Sequence, residues 1–194
     1  MQVISLFLLL VVSPLQTGSV DPARLFEAGE TWERFLERVE RQRERWLRTA
    51  ADATVAPDLV ERVQRAGRDL KLLVVAEDWC PDSAYSVPYV ARLMSLAHVP
   101  FRIVDRATGE SLLRAHRTFD GRTATPTVVL LREGVDVGAW VERPTELQDL
   151  FRSIGADPES ARRFAQRGDW YEADRGVTVL KEIVAVVEQT GAAK

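Results

Sequence analysis

Cysteine occurs once in the 194 residues, and its neighbours give it a chemical setting. The short apolar run Leu72-Leu73-Val74-Val75-Ala76 leads into Glu77-Asp78-Trp79-Cys80-Pro81-Asp82-Ser83. A run this brief and β-branched, closed by acidic residues and a proline, reads as a buried strand. Pro81 suits the first position of a helix, where its missing N–H removes a donor that would be unpaired anyway and its fixed φ is already helical. Cys80 therefore falls at the end of a strand and the start of a helix, where unpaired N–H groups and the helix dipole can stabilise a thiolate. The chemistry open to such a thiol is attack on a disulfide to form a mixed disulfide. Ser83 carries no sulfur and cannot resolve that species, although its hydroxyl could donate a hydrogen bond to the thiolate. Glu77, Asp78 and Asp82 act in the opposite sense, because negative neighbours disfavour an anion.

Other chemistries find little support. With one cysteine there is no intramolecular disulfide and no multi-cysteine zinc site, and His98 and His116 stand far apart in sequence. Three carboxylates straddling a strand-to-helix turn are not a recognised ligand spacing, so Glu77, Asp78 and Asp82 read as solvated charge and neither a metal nor a cofactor is expected. The histidines read as exposed residues at helix ends. Twenty-six Lys and Arg against 29 Asp and Glu leave a formal net charge of −3, which gives no reason to expect nucleic acid or an anionic membrane surface as partner.

The elements that must position the thiol follow from periodicity. From Asp21 to Ala50, Leu25, Ala28, Trp32, Phe35, Val39 and Trp46 recur at steps of three and four, skipping only Gln42. This predicts one apolar stripe on a helix interrupted at Gly29, with Thr31 capping the longer second part. Glu37–Arg41 and Glu44–Arg48 have the favourable acidic-first spacing, and the alternation of signs predicts a solvated face rather than a membrane or nucleic-acid surface. Pro57-Asp58 starts a further helix, carrying Leu59, Val60 and Val63, that Gly67 closes. After the cysteine helix, with Val87, Val90, Leu93 and Met94 inward, Phe101 to Asp105 reads as a strand and Glu110 to Arg117 as a helix. Two strands then pair across Arg132-Glu133-Gly134, and Pro144 opens a helix from Thr145 to Ile154. Asp157-Pro158 starts the last region, which Gly168 and Gly176 punctuate. Val177, Leu180, Val184 and Val187 form its packing stripe, and Trp170-Tyr171 reads as a core or rim anchor rather than a ligand-facing pair.

Trp79-Cys80-Pro81-Asp82-Ser83 resembles the active-site turn of thioredoxins, tryptophan and cysteine followed by two variable residues and a second cysteine, with Ser83 in the second cysteine's place. Pro88 stands where thioredoxins have a proline that kinks the same helix. Thr125-Pro126, which opens the apolar run Thr127-Val128-Val129-Leu130-Leu131, stands where the family has a cis proline facing the cysteine. The likeness rests on these three elements in order, over residues 68–154. More closely, Ala76-Glu77-Asp78-Trp79-Cys80 with helical additions on both sides resembles a little-characterised bacterial branch whose members often lack the second cysteine.

The resemblance implies an α/β, thioredoxin-like fold, a central mixed sheet flanked by helices, with helical extensions at both ends. The divisions it implies are 1–19, 20–67 as the first extension, 68–154 as the thioredoxin-like domain and 155–194 as the second extension. It also implies Cys80 and Ser83 as catalytic positions and Trp79, Pro81, Thr125 and Pro126 as substrate-binding ones. Val74 occupies the place of the family's buried acidic residue, which argues against a strong general disulfide reductase. Two functions follow. One is monothiol thiol–disulfide exchange with a protein or low-molecular-weight thiol or disulfide, Cys80 being the nucleophile. The other is a non-catalytic binding or adaptor module that uses the groove around Trp79 and Pro126.

Residues 1–19 contain an apolar core of signal-peptide length, Val3 to Val12, with Gly18-Ser19 as a possible cleavage region, but no Lys or Arg precedes Arg24. The run is too short for a stable membrane span. It reads either as a signal peptide of an exported, periplasmic protein or as the product of a mis-assigned start on a cytoplasmic one. The resembled branch begins near Asp21, and the cytoplasmic reading is slightly favoured.

Overall fold

The computed structural model describes residues 21–66, 68–154 and 160–192. The apolar segment 1–19, the helix end expected at Gly67 and the helix start expected at Asp157-Pro158 lie outside the described residues.

The run that ends near the cysteine forms the central strand β1 (Leu70–Val75). It pairs in parallel with β2 (Phe101–Val104) and antiparallel with β3 (Thr127–Arg132), which pairs antiparallel with β4 (Val135–Val141). The order is β2-β1-β3-β4. Side chains alternate across a strand, and both faces of β1 are covered, so its sequence is continuously apolar instead of alternating. Leu72 and Val74 join the larger core, and Leu73 and Val75 the smaller one on the opposite face.

Helix α5 (Pro81–Ala97) follows β1 and lies on the larger-core side with Val87, Val90, Leu93 and Met94 all buried. Pro88 sits inside it and removes one helical hydrogen bond. His98 ends the helix in the left-handed region and is exposed. The smaller core is closed by α1 (Pro22–Ala28), through Leu25 and Phe26, and by α6 (Glu110–Ala115), through Leu112 and Leu113.

The stripe over Asp21–Ala50 is spread over three helices, not two. Beyond α1, Thr31 caps α2 (Trp32–Arg38) by accepting from Arg34 N at 3.4 Å, and a second break at Val39–Gln42 precedes α3 (Arg43–Asp52). Gln42 adopts a left-handed φ of 53°. Because α2 ends at Arg38, Glu37 and Arg41 do not share a helix, and Arg48 reaches Glu172 at 3.1 Å instead of serving a helical pair. Phe35 and Trp46 are nonetheless fully buried and meet edge to face, with ring centroids 5.0 Å apart. Glu30 forms an isolated bridge with Ile103, covering part of the outer edge of β2.

Helix α4 (Pro57–Ala66) leads back to β1, and α7 (Thr145–Ile154) follows β4. Gly168 does not punctuate the last region but lies within α8 (Ser160–Asp174), whereas Gly176, at φ +77°, makes the turn into α9 (Val177–Ala192). A Cβ on Gly176 would come within 2.3 Å of the Tyr89 ring, so close approach as well as φ requires glycine there. Leu180, Val184 and Val187 pack α9 on α4, α5 and β4, while Val177 remains exposed. No helix among the described residues is long and apolar enough to cross a membrane.

Candidate functional site around Cys80

Cys80 is the N-cap residue of α5, at the carboxyl end of the β1 segment. Its N–H donates to Glu77 O at 3.1 Å and its carbonyl accepts from Ala84 N at 3.0 Å, which fixes the turn. Cys80 is 6% exposed, and Sγ donates to the Thr125 carbonyl at 3.1 Å. It makes no capping bond to the helix's own N–H groups. The Thr125–Pro126 peptide is cis and leads directly into β3. Pairing of β1 with β3, Val75 opposite Thr127, is what carries this loop to the cysteine.

The remaining singled-out residues divide. Trp79 is 44% exposed beside the thiol, and Pro81 occupies the first turn of α5. Ser83 is fully buried, and its Oγ has no hydrogen-bond partner among the described residues, so it does not donate to Cys80 as the sequence suggested. On the first turn of α5 it points into the packed interior. Val74, in the place of the family's acid, is fully buried.

The three carboxylates around the cysteine are structural ties and not solvated charge. Glu77 Oε1 accepts from Arg106 N at 2.7 Å, joining the turn to the segment after β2. Asp78 Oδ2 accepts from Glu40 N at 3.2 Å and Arg41 N at 3.0 Å. Its carbonyl accepts from the Trp46 indole at 2.9 Å, and the Gln42 amide donates to Trp79 O. The second break in the N-terminal stripe thus wraps the residues that precede Cys80. Among the described residues no group of three His, Cys, Asp or Glu is arranged to hold a metal ion.

Asp82 is 4% exposed. It accepts from Tyr171 Oη at 3.0 Å, Arg143 Nη2 at 3.1 Å and Arg167 Nη1 at 3.3 Å. Burial pushes its carboxyl up, and the two guanidiniums pull against that. Burial also raises the Tyr171 phenol well above its usual range, with the Asp82 charge adding to it, so the hydroxyl stays protonated and donates. Tyr171 stacks on Tyr85 with centroids 4.6 Å apart. Arg143 also bonds Glu142 at 2.6 Å, and Glu142 N donates to Pro126 O at 2.7 Å. A circuit therefore closes around the thiol: Cys80 to Thr125, Pro126 to Glu142, Arg143 to Asp82, and back along α5. Tyr171 had a sequence signal as an aromatic anchor. Arg143, Arg167 and Glu142 had none, because ordinary arginines and a glutamate gain a role only when distant segments meet.

His116 is half-buried, not exposed, with Nε2 2.6 Å from Asp136 on β4. It ties α6 to the hairpin and, among the described residues, bonds none of the thiol's partners.

A strand–turn–helix with cysteine at the helix start, next to a Thr-Pro loop entering the antiparallel neighbour strand, on a mixed sheet of this order, defines a thioredoxin-like protein. The chain belongs to the thioredoxin family, whose profile matches residues 29–161, more than half of its length. It is similar to the 1.5 Å crystal structure of a protein of unknown function from Pseudomonas aeruginosa, at 26% identity and a TM-score of 0.65, over 86% of this chain and 96% of that one. An HIV epitope-scaffold matches in fold at 23% identity and a TM-score of 0.66, over 86% of this chain and 97% of the scaffold. No functionally curated protein matches.

Proposed function

We propose that the protein is a monothiol thiol–disulfide exchange protein with Cys80 as nucleophile. The observation that carries the reading is the position of Sγ, at the start of α5 and 3.1 Å from the Thr125 carbonyl beside Pro126. The substrate class is a disulfide joining a partner thiol to a low-molecular-weight thiol. Cys80 loses its proton to solvent, and Sγ attacks the small-thiol sulfur. The substrate S–S bond breaks, the partner leaves as a thiolate, and a Cys80 mixed disulfide forms. A second low-molecular-weight thiolate then attacks the small-thiol sulfur of that mixed disulfide. It forms the symmetric small disulfide and returns Cys80 as a thiolate. The partner is reduced and two small thiol equivalents end as one disulfide, so no second protein cysteine is required. Ser83, placed in the position of a resolving cysteine, takes no part in the electron transfer. Trp79 and Pro81 flank the approach, and Thr125 with Pro126 forms its opposite wall.

The test is mass spectrometry of the folded chain incubated with glutathione disulfide, with Cys80→Ser as the blank. One adduct per chain, released by added glutathione, is the expected result. Reaction only after unfolding overturns the reading.

A second reading has its own support. The thiol is almost wholly buried and its hydrogen is engaged by Thr125, whereas Trp79 is exposed. Those features suit a docking surface around Trp79 and Pro126 that uses Cys80 only as a small packed residue.

A further inference from the structure

A cavity of about 730 Å³ opens on one side of Trp79, within the size range of small-molecule sites. Its charged and polar lining is Glu77, Trp79, Arg106, Glu110, Arg114, Arg117 and Thr123. Trp79 belongs to the site already described, as the residue before Cys80, and Thr123 lies two residues before Thr125. The cavity is thus bordered by the residue before Cys80 and by the loop that delivers Thr125.

The charges of the lining are not evenly matched. Arg114 is paired with Glu110 at 2.5 Å, and Glu77 is engaged by the backbone N–H of Arg106. The Arg106 guanidinium donates to Thr123 Oγ1 at 2.7 Å, and the Arg117 guanidinium donates to Gly121 O at 2.8 Å. Both of these acceptors are neutral. Among the described residues neither Arg106 nor Arg117 has a carboxylate within ion-pair distance, in a protein whose net charge is −3. Their bonds also hold the two side chains in place. Arg106 is anchored on the loop that delivers Thr125, and Arg117 on the turn that begins that loop. A guanidinium fixed by a neutral acceptor retains donors for a carboxylate, which it binds with planar, two-point geometry.

Resting on the exchange reading above, we infer that this cavity selects the small-thiol half of the substrate. The ligand class is a carboxylate-bearing low-molecular-weight thiol or its disulfide, with Arg106 and Arg117 holding the carboxylates while the sulfur faces Cys80. An ion pair at a partly open site acts mainly on encounter and orientation, so the selectivity is sensitive to salt.

The test compares rates of mixed-disulfide formation at Cys80 in the full chain, with anionic glutathione disulfide and with uncharged hydroxyethyl disulfide. The expected result is a rate ratio favouring the anionic probe by about tenfold or more at low ionic strength, shrinking as salt is added. In Arg106→Gln/Arg117→Gln the ratio falls toward that of the unassisted reaction of the two disulfides with a free thiol. In Arg24→Gln, an exposed arginine elsewhere, the ratio is retained. Because the readout is a ratio within one protein, a partial loss of folded material cancels. Arg117→Gln alone, at an exposed side chain, gives an intermediate ratio. Equal response of wild type and double variant overturns the inference while leaving the exchange reading intact. Absence of reaction with either disulfide in folded wild type overturns both.

Discussion

The Tyr171 hydroxyl donates to the Asp82 carboxylate at 3.0 Å, so a helix near the end of the chain holds the residue that lies two positions after the cysteine. Asp82 stands on the first turn of α5, and Tyr171, on α8, is buried in the larger core. The contact makes α8 part of the support of that turn.

Removing that hydroxyl tests the tie. Tyr171→Phe keeps the ring that stacks on Tyr85 and deletes only the hydrogen bond to a buried acceptor. The expected cost is about 1.5–3 kcal/mol, the value of a bond to a charged group. That corresponds to a fall of roughly 3–12 °C in Tm for a protein of this size, measured by thermal unfolding. An unchanged Tm would mean that Arg143 and Arg167 hold Asp82 unaided.

Asp78 gives a corresponding test on the amino-terminal side. Asp78→Ala removes the acceptor shared by Glu40 N and Arg41 N, at a half-buried position where each bond is worth about 1 kcal/mol. The expected signature is faster hydrogen exchange at those two amides, with Phe35 and Trp46 still packed. Unchanged exchange would show that the turn is held by its own backbone.

Ser83→Cys asks whether the site accepts a dithiol. Positions three apart in a helical first turn have Cα atoms about 5 Å apart, within the range that a disulfide spans. Ser83 Oγ has no partner to lose, so the exchange of oxygen for sulfur is expected to leave the fold intact. On mild oxidation the variant should lose both free thiols without forming dimers, as counted by thiol titration and non-reducing electrophoresis. Retention of both thiols would show that the buried 83 side chain cannot turn toward Cys80.

The loop leading to Thr125–Pro126 carries a pH dependence. The Arg122 guanidinium, and next the Thr118 hydroxyl, hold the Asp120 carboxyl down to about 2. A carboxyl depressed in the folded state adds stability above its unfolded value of about 3.9, and that contribution is lost as pH falls through the folded value. The Tm difference between wild type and Asp120→Asn should therefore be constant above about pH 5 and close as pH approaches about 2. A difference that is the same at both ends would assign the effect to something other than ionisation.

Much of the fold could be read from local pattern. The strand before Cys80, the helix opened by Pro81, the hairpin at Arg132–Gly134 and the stripe on α9 all follow from residue periodicity and turn chemistry, which act over a few positions. The same local reading erred where a distant partner decided the outcome. The N-terminal stripe breaks at Val39–Gln42 because its backbone N–H groups find Asp78, a carboxylate 37 and 38 residues away. Its periodicity carries no trace of that contact.

The sequence by itself determined which residue carries the one thiol, what stands before and after it, and that the chain offers no second thiol beside it. Those are properties of composition and spacing. Only the tertiary structure decided that Ser83 turns inward, that Asp82 is buried among two arginines and a tyrosine, and that Arg106 and Arg117 line the cavity beside Trp79. Burial and pairing depend on which segments the sheet and helices bring together. A carboxylate that reads as solvated in isolation becomes a structural tie when desolvation makes its hydrogen-bond partners obligatory.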